Sequence, residues 1–199
     1  MLPIFTTTFE LNEAAPERLD AAPAGPFDLD LHFALFFGEA ASVEPVRFAF
    51  EGGGPGDLIV ADDAVSRLVS ARLRAALTEA GCTGWSSYPV ILEGPNGVVR
   101  DEYTGLTVTG RCGRLDASFA ERITEDGWPL VRGITFDPES WDGSDVFTPP
   151  ETAFVLLSER AQAALDGAGL ANVEMRRLKD VVVDPEIYAV ADHESFGSS

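Results

Sequence analysis

The chain has 199 residues, and 33 acidic against 14 basic side chains give it a net charge of −19 at pH 7. Such a charge repels nucleic acid and anionic membranes, and it serves either to attract a basic partner or to maintain solubility and tolerance of salt. No apolar run approaches the roughly 18 residues that span a bilayer, and the N-terminal residues lack the basic and apolar regions of a signal peptide. We therefore expect a cytoplasmic globular protein that binds neither nucleic acid nor membranes.

The first 56 residues are predicted to form a β-rich segment that packs onto the rest of the chain. Residues 4–11 are rich in Thr and Phe, which favours a strand. Residues 29–37 (LDLHFALFF) and 45–51 (PVRFAFE) place apolar side chains at every second position. An alternation of this kind predicts two further strands, with a Pro- and Ala-rich loop before them.

The chain then contains one pattern twice, 88 positions apart and without a gap. Nine of the 29 aligned pairs, from Asp57 with Asp145 to Trp85 with Val173, are identical. Self-similarity at a fixed offset indicates an internal duplication, although convergence on a well-capped helix would give a similar pattern. The acidic residue that opens each copy is harder to explain by the requirements of a helix start or end alone. The two repeat units span about 57–92 and 145–178.

Each repeat is predicted to contain one helix between two strands. Ser70 and Ser158 are placed to cap the helix N-termini, because a serine oxygen accepts hydrogen bonds from the free amides of the first turn. Apolar residues recur behind each serine with helical spacing. Gly81 and Gly169 suit the left-handed position that follows a helix. The repeat is therefore interpreted as a folding unit, a capped helix that packs on sheet.

Strands outnumber helices in the remaining chain, which predicts an α+β fold with a mixed or mainly antiparallel sheet. Residues 101–110 and 128–136 are predicted strands, and 114–123 is a short helix or an irregular connector. Residues 57–190 would form the duplicated core, and 191–199 a disordered tail. The whole chain is expected to be one compact domain.

Histidine and cysteine give no sign of a metal or nucleophilic site. His32 falls on the minor face of a predicted strand, and His193 falls in the predicted tail. Cys82 and Cys112 occur in no CxxC motif, so two buried thiols are favoured over a single disulfide. No metal site is predicted, because a structural zinc ion requires four suitable ligands.

Three short motifs resemble functional sites but are incomplete. GGGPGD at 52–57 lacks the final glycine of a dinucleotide-binding loop and the lysine of a phosphate-binding loop. GWSSY at 84–88 lacks the second glycine of a nucleophile elbow. DPESWDGSD at 137–145 does not follow the ligand order of a calcium-binding loop, and it predicts a turn instead. We therefore predict no catalytic residue and no cofactor.

Several motifs together resemble a known bacterial family. The helix pattern [LV]-S-x-R-x-x-x-A-L-x-x-A-G is followed by YPV, by Y-x-G-L-x-V-T-G-x-C-G-x-L-D, and by WDGSDVF before the second helix. This order resembles the immunity proteins first defined in myxobacteria, the eleventh catalogued immunity family of polymorphic toxin systems. The matching segments are Val69 to Gly81, Tyr88 to Val90, Tyr103 to Asp116, Trp141 to Phe147 and Leu157 to Gly169.

The resemblance implies a non-enzymatic protein that protects its producer by binding a cognate toxin and occluding it stoichiometrically. The partner would be a protein toxin, and a basic toxin would suit the acidic charge of the chain. The resemblance carries no catalytic residue. A monomer or a small homo-oligomer is expected.

The aromatic and acidic turn is the predicted partner-binding surface, because interfaces are enriched in aromatic residues and loops often carry function. Its residues are Trp141, Asp142, Asp145 and Phe147. Two other functions stay open. One is an accessory or structural component of a secretion or phage-like system, and the other is a hydrolase or transferase with an unrecognised carboxylate site.

Overall fold

The computed structural model describes residues 7–11, 19–25, 28–42, 44–54, 56–125 and 128–184. Within these ranges, three helices and 17 strands form an α+β fold in which strands outnumber helices, as predicted. No helix in the described part of the chain is long and apolar enough to cross a membrane. The predicted tail at 191–199, with His193, lies outside the described residues.

The elements are numbered in chain order. The helices are α1 (Leu29–Phe36), α2 (Ala71–Glu79) and α3 (Glu159–Ala168). The first strands are β1 (Thr7–Leu11), β2 (Ala21–Pro23), β3 (Val46–Phe50), β4 (Leu58–Val60), β5 (Arg67–Ser70), β6 (Trp85–Glu93), β7 (Val99–Arg100) and β8 (Tyr103–Val108). The remaining strands are β9 (Gly110–Arg111), β10 (Leu115–Asp116), β11 (Glu121–Glu125), β12 (Trp128–Arg132), β13 (Thr135–Phe136), β14 (Val146–Thr148), β15 (Leu156–Leu157), β16 (Val173–Arg177) and β17 (Val182–Val183).

Two larger sheets organise the molecule. One has the order β2-β3-β6-β8-β5-β4, with β7 paired to β6, and the other has the order β16-β1-β15-β14-β9. Most pairs are antiparallel, but β3 with β6 and β9 with β14 are parallel. Two small sheets, β10-β13 and β11-β12-β17, complete the described part of the fold.

The duplication predicted from the sequence is present in the strand pairing. In the first repeat β4 pairs with β5 in the register Leu58 with Val69. In the second repeat β14 pairs with β15 in the register Val146 with Leu157, and both partners are shifted by the same 88 positions. The helices and the strands that follow them, α2 with β6 and α3 with β16, also begin 88 positions apart.

The strand that completes each repeat comes from a different place in the chain. In the first repeat β8 lies between β5 and β6 and pairs Gly105 with Leu68 and with Tyr88. In the second repeat β1 lies between β15 and β16 and pairs Thr8 with Leu156 and Arg176. The second repeat is thus a permuted copy whose fourth strand stands at the N-terminus. β1, which falls in the predicted N-terminal segment 1–56, therefore pairs as a strand of the second repeat.

The two repeats face each other across a shared hydrophobic core, here called the first core. Equivalent residues of both repeats meet in it, and α2 packs against α3. The equivalent pairs are Leu58 and Val146, Val69 and Leu157, Leu73 and Ala161, Leu77 and Leu165, and Leu106 and Phe9. Neither repeat covers this apolar face alone, which accounts for the packing of one copy on the other.

The helix ends follow the sequence prediction. The side chains of Ser70 and Ser158 accept hydrogen bonds from the backbone nitrogens of Leu73 and Ala161 at 3.1 and 3.3 Å. Gly81 and Gly169, which follow the helices, have φ angles of 66° and 57°. Both glycines therefore adopt the left-handed conformation that glycine takes without steric cost.

Two local predictions are wrong. The predicted strand at 29–37 is instead helix α1, Leu29–Phe36. Asp28 caps it by accepting a hydrogen bond from Leu31, and its buried residues His32, Leu35 and Phe36 have helical spacing. The segment lacks β-branched residues, so its alternation was compatible with a helix. Residues 114–123 contain strand β10 and the start of β11. These strands pair with β13 and β12, which lie later in the chain, so the local sequence pattern did not show them.

Candidate functional site

Trp141 is half-buried at the edge of the second core, which contains Phe147, Leu115, Val131 and Leu156 among its buried residues. The Trp141 ring lies 5.3 Å from the Phe147 ring, centroid to centroid. Its indole Nε1 donates a 3.0 Å hydrogen bond to the carbonyl oxygen of Ser144. The turn is therefore fixed by its tryptophan, which leaves only part of the ring for a partner.

Asp142 is the exposed carboxylate of the predicted site. It accepts hydrogen bonds from the backbone nitrogens of Arg111 at 2.8 Å and Ser144 at 2.9 Å. Partial burial alone would raise the pKa of Asp142, but the hydrogen bonds from Ser144 and the charge of Arg111 outweigh burial and lower it. Asp142 is thus an ordered negative charge at the surface.

Asp145 and Phe147 lie beneath the surface, with 6% and 1% of their area exposed. The Asp145 carboxylate accepts hydrogen bonds from the Ser158 hydroxyl at 2.7 Å and from the Thr83 backbone nitrogen at 3.0 Å. Arg160 adds an ion pair at 3.6 Å. The four residues predicted from the sequence therefore do not share one surface. Asp145 and Phe147 are too deeply buried to contact a partner directly.

Asp57 occupies the equivalent position in the first repeat and is also buried. Its carboxylate accepts hydrogen bonds from the Ser70 hydroxyl at 2.5 Å, from the Ala171 backbone nitrogen at 2.7 Å and from the guanidinium of Arg72. Burial alone would raise the pKa of Asp57, but the hydrogen bonds from Arg72, Ser70 and Ala171 outweigh it and lower the pKa. The acidic residue of each repeat is therefore a structural tie.

His32, Asp63 and Ser66 form a buried polar cluster that the sequence did not reveal. The Asp63 Oδ2 and Ser66 Oγ atoms lie 2.6 and 2.8 Å from the same ring nitrogen of His32, Nδ1, and 2.7 Å from each other. In a nucleophilic Ser–His–Asp triad the serine and the aspartate contact opposite nitrogens of the ring. This cluster instead joins α1 to the loop between β4 and β5.

Both cysteines are free thiols. Burial and the nearby carboxylate of Asp145 raise the pKa of the half-buried Cys82. Burial raises the pKa of Cys112 to about 12. Thiols of this kind are largely protonated near neutral pH and react slowly. Among the described residues, no three His, Cys, Asp or Glu side chains are grouped to hold a metal ion.

Two aromatic side chains stand out because they are exposed. Phe119 has 94% of its area in solvent, and Trp128 has 68%. Phe119 lies two residues before β11, which forms a hairpin with β12, and Trp128 begins β12 opposite Glu125. We call this hairpin with Phe119 the aromatic hairpin; its described residues are 119–125 and 128–132.

The aromatic hairpin is fixed to the same core as the predicted turn. Ala117 and Ala120, on either side of Phe119, pack against the second core, as Trp141 does. Asp116 fixes the approach to Phe119 by accepting hydrogen bonds from the nitrogen and hydroxyl of Ser118 at 2.8 and 2.6 Å. Phe119 is therefore held outward by ordered neighbours.

Sequence reasoning missed both exposed aromatics. A signal existed for Trp128, because 128–136 is a predicted strand and strand periodicity puts residues 128, 130 and 132 on the face opposite the apolar Val131. The structure shows Val131 buried and Trp128 exposed. No comparable signal existed for Phe119, which lies in a turn where neither helical nor strand periodicity applies.

A comparison with models of known protein families finds no match, and a comparison with curated proteins finds no similar sequence. The resemblance to the immunity family therefore stays a prediction that rests on the motifs of this chain.

Proposed function

We propose that the chain is a non-catalytic immunity protein of the myxobacterial type that binds a cognate bacterial toxin in the cytoplasm of its producer. It neutralises the toxin by stoichiometric occlusion, as a monomer or a small homo-oligomer. The aromatic hairpin is the centre of the proposed contact surface. Asp142 and the exposed part of Trp141 are proposed to extend it, because Trp141 packs on the same core as Ala117 and Ala120.

The observation that carries this proposal is the exposure of Phe119 and Trp128, at 94% and 68%. Aromatic side chains in water forgo about 1.5–3 kcal/mol each of burial free energy. Tryptophan is also among the residues most enriched at positions that dominate binding energy in protein interfaces. The exposure of these two aromatic side chains therefore favours a protein partner that covers them.

The charge of the surrounding segment favours a basic partner. Residues 114–151 carry nine acidic against three basic side chains. A negative field accelerates association with a positively charged protein, and the effect decreases as salt increases. Such a field also competes with nucleic acid for the binding face of a toxin that acts on it.

The test is a growth assay in a laboratory bacterium that expresses the product of the adjacent gene, alone or with this chain. The expected result is that the neighbour's product stops growth and that co-expression of the chain restores it. The double variant Phe119→Ser, Trp128→Ser should lose this protection. The matched control is Val98→Ser, Val99→Ser, which removes two apolar side chains with 53% and 54% exposure at another sheet.

Two outcomes would contradict the proposal. In the first, the product of the adjacent gene is harmless. In the second, it kills the bacterium whether or not the chain is present. If the aromatic variant protects as well as the control variant while both accumulate to the same level, the aromatic hairpin is not the contact surface.

A further inference from the structure

A cavity of about 330 Å³ opens between α1, β1 and the two loops that follow β4 and β14. These loops occupy equivalent places in the two repeats. Each contains a non-glycine residue in the left-handed region, Ala64 with φ 58° and Glu151 with φ 62°. Both of these residues line the cavity. Such conformations are uncommon for residues with a side chain, and they persist where the surrounding structure enforces them.

The walls of the cavity combine apolar and acidic surface. Leu29, Phe33, Val65, Ala153, Phe154 and Val155 supply the apolar part. Three carboxylates line it, those of Glu10, Asp63 and Glu151, against one cation, Arg67, and this leaves a net charge of −2. The volume is at the lower end of the range for ligand sites, which suits one side chain or a small molecule.

Two of the charged groups already have strong hydrogen bonds. The Asp63 carboxylate accepts hydrogen bonds from the backbone nitrogens of Val65 and Ser66 at 2.9 and 2.7 Å. The Arg67 guanidinium donates to the carbonyl oxygens of Ala64 and Val65 at 3.2 and 2.7 Å. A third, Glu151, accepts a 2.8 Å hydrogen bond from the guanidinium of Arg114, so Glu10 is the acid left to meet a ligand.

The negative charge of Glu10 is only partly balanced by the groups around it. It faces Glu174 across the β1–β16 pair, and Arg176 bonds to Glu174 at 2.6 Å. Burial raises the pKa of Glu10, and the Glu174 carboxylate adds to this increase. Arg176, the Thr8 side chain and Arg67 lower it but do not outweigh burial. A cation placed beside Glu10 would relieve both burial and repulsion.

We propose that this cavity binds a cationic group on an aliphatic stem, and that its occupant is a lysine or arginine side chain of the protein partner. The charged head would lie at Glu10 and the stem against Leu29 and Phe33, because long basic side chains bury their methylene groups and keep the charge near polar surface. The identity of the occupant rests on the proposed function. The cavity chemistry rests only on the residues described above.

The experiment is a titration of the purified chain with N-acetyl-arginine amide, followed by the backbone amide signals of residues 8–10 and 64–67 in NMR spectra. Saturable shifts are expected at these residues. Glu10→Gln should weaken binding of the probe at least tenfold. The matched control, Glu79→Gln, removes the same charge from an exposed site on α2 and should leave binding unchanged.

A second variant, Ala153→Leu, fills the cavity without a change of charge and should also abolish the shifts. Shifts that do not saturate, or shifts that are the same in Glu10→Gln and wild type, would overturn the proposal. Thermal unfolding of each variant separates loss of binding from loss of fold.

The affinity for the adjacent gene's product distinguishes the two sources of the cation, a side chain of the partner and a free small molecule. If Glu10→Gln lowers the affinity for that product at least tenfold while Glu79→Gln does not, the occupant is a side chain of the partner. If the probe binds through Glu10 but affinity for the product is unchanged, a free small molecule is the occupant and the assignment to the partner is overturned. If the probe binds and the product never does, the proposed function fails and the cavity chemistry stands.

Discussion

The carboxylate of Asp57, in the first repeat, accepts a 2.7 Å hydrogen bond from the backbone nitrogen of Ala171, which follows the helix of the second repeat. The carboxylate of Asp145 accepts a 3.0 Å hydrogen bond from the backbone nitrogen of Thr83, which follows the helix of the first. Asp145 lies 88 positions after Asp57, and Thr83 lies 88 positions before Ala171. The two repeats are thus tied reciprocally, each by its own first acidic residue.

Loss of either tie should destabilise the fold. Asp57→Asn and Asp145→Asn each weaken several hydrogen bonds to a buried carboxylate, and we expect each to lower the free energy of unfolding by about 2–3 kcal/mol. Urea denaturation measures the loss. Asp62→Asn, at an exposed aspartate near the first tie, is the control and should change stability by less than about 0.5 kcal/mol. Near-neutral results at both ties would contradict their structural role.

Stability should fall in acid because of Asp57 and Asp63, whose pKa values are lowered in the folded protein from an ordinary 3.8. A lowered folded-state pKa contributes stability above pH 3.8, and this contribution is lost as the pH falls through the folded-state value. Urea denaturation between pH 2.5 and pH 6 should show a decline that begins near pH 4. The decline should be shallower in Asp57→Asn, and an identical pH profile would contradict this explanation.

Two glycine-to-alanine changes should have opposite effects. A Cβ at Gly105 would lie 2.0 Å from the Tyr88 ring, so Gly105→Ala should lower stability by about 1–3 kcal/mol through overpacking. A Cβ at Gly167 would meet nothing within 4 Å, and this residue lies inside α3. Gly167→Ala should therefore raise stability by up to about 1 kcal/mol. Thermal unfolding of both variants tests the prediction. A stabilising Gly105→Ala would contradict the close contact between the Tyr88 ring of β6 and Gly105 of β8.

The permuted topology makes the N-terminal strand part of the first core. Phe9 is 3% exposed, so Phe9→Ala should lower stability by about 3–5 kcal/mol. Leu106→Ala, at the equivalent position of the first repeat, should cost about 2–5 kcal/mol. Val99→Ala, at a 54% exposed side chain, is the control and should have little effect. A Phe9 variant as stable as this control would show that β1 is not an integral strand of the second repeat.

Local structure was predictable from the sequence where one residue decides it. The serine caps and the glycines that end α2 and α3 depend on side-chain and backbone chemistry within a few residues, and both were predicted correctly. Helix α1 was not, because its Leu, Ala and Phe residues satisfy two periodicities, and only the Asp28 cap and the lack of β-branched residues favoured the helix.

The pairing of each repeat with its fourth strand could not be predicted. Thr8 and Leu156 are distant in sequence, and no periodicity records which strands will meet. The same limit applies to the candidate site, because burial distinguishes Asp142 from Asp145 although both belong to the short turn-forming segment WDGSD. The pattern placed both at a surface turn, whereas three-dimensional packing leaves only Asp142 exposed.

The most direct test of the proposed function is the affinity of the purified chain for the purified product of the adjacent gene, measured by isothermal titration calorimetry. The proposal predicts a one-to-one complex in which Trp128→Ser lowers affinity by about 30-fold or more, the loss expected for a dominant tryptophan of about 2 kcal/mol. The control, Val98→Ser with Val99→Ser, should bind as wild type does. No binding by the wild-type chain, or equal binding by the Trp128 and control variants, would contradict the proposal.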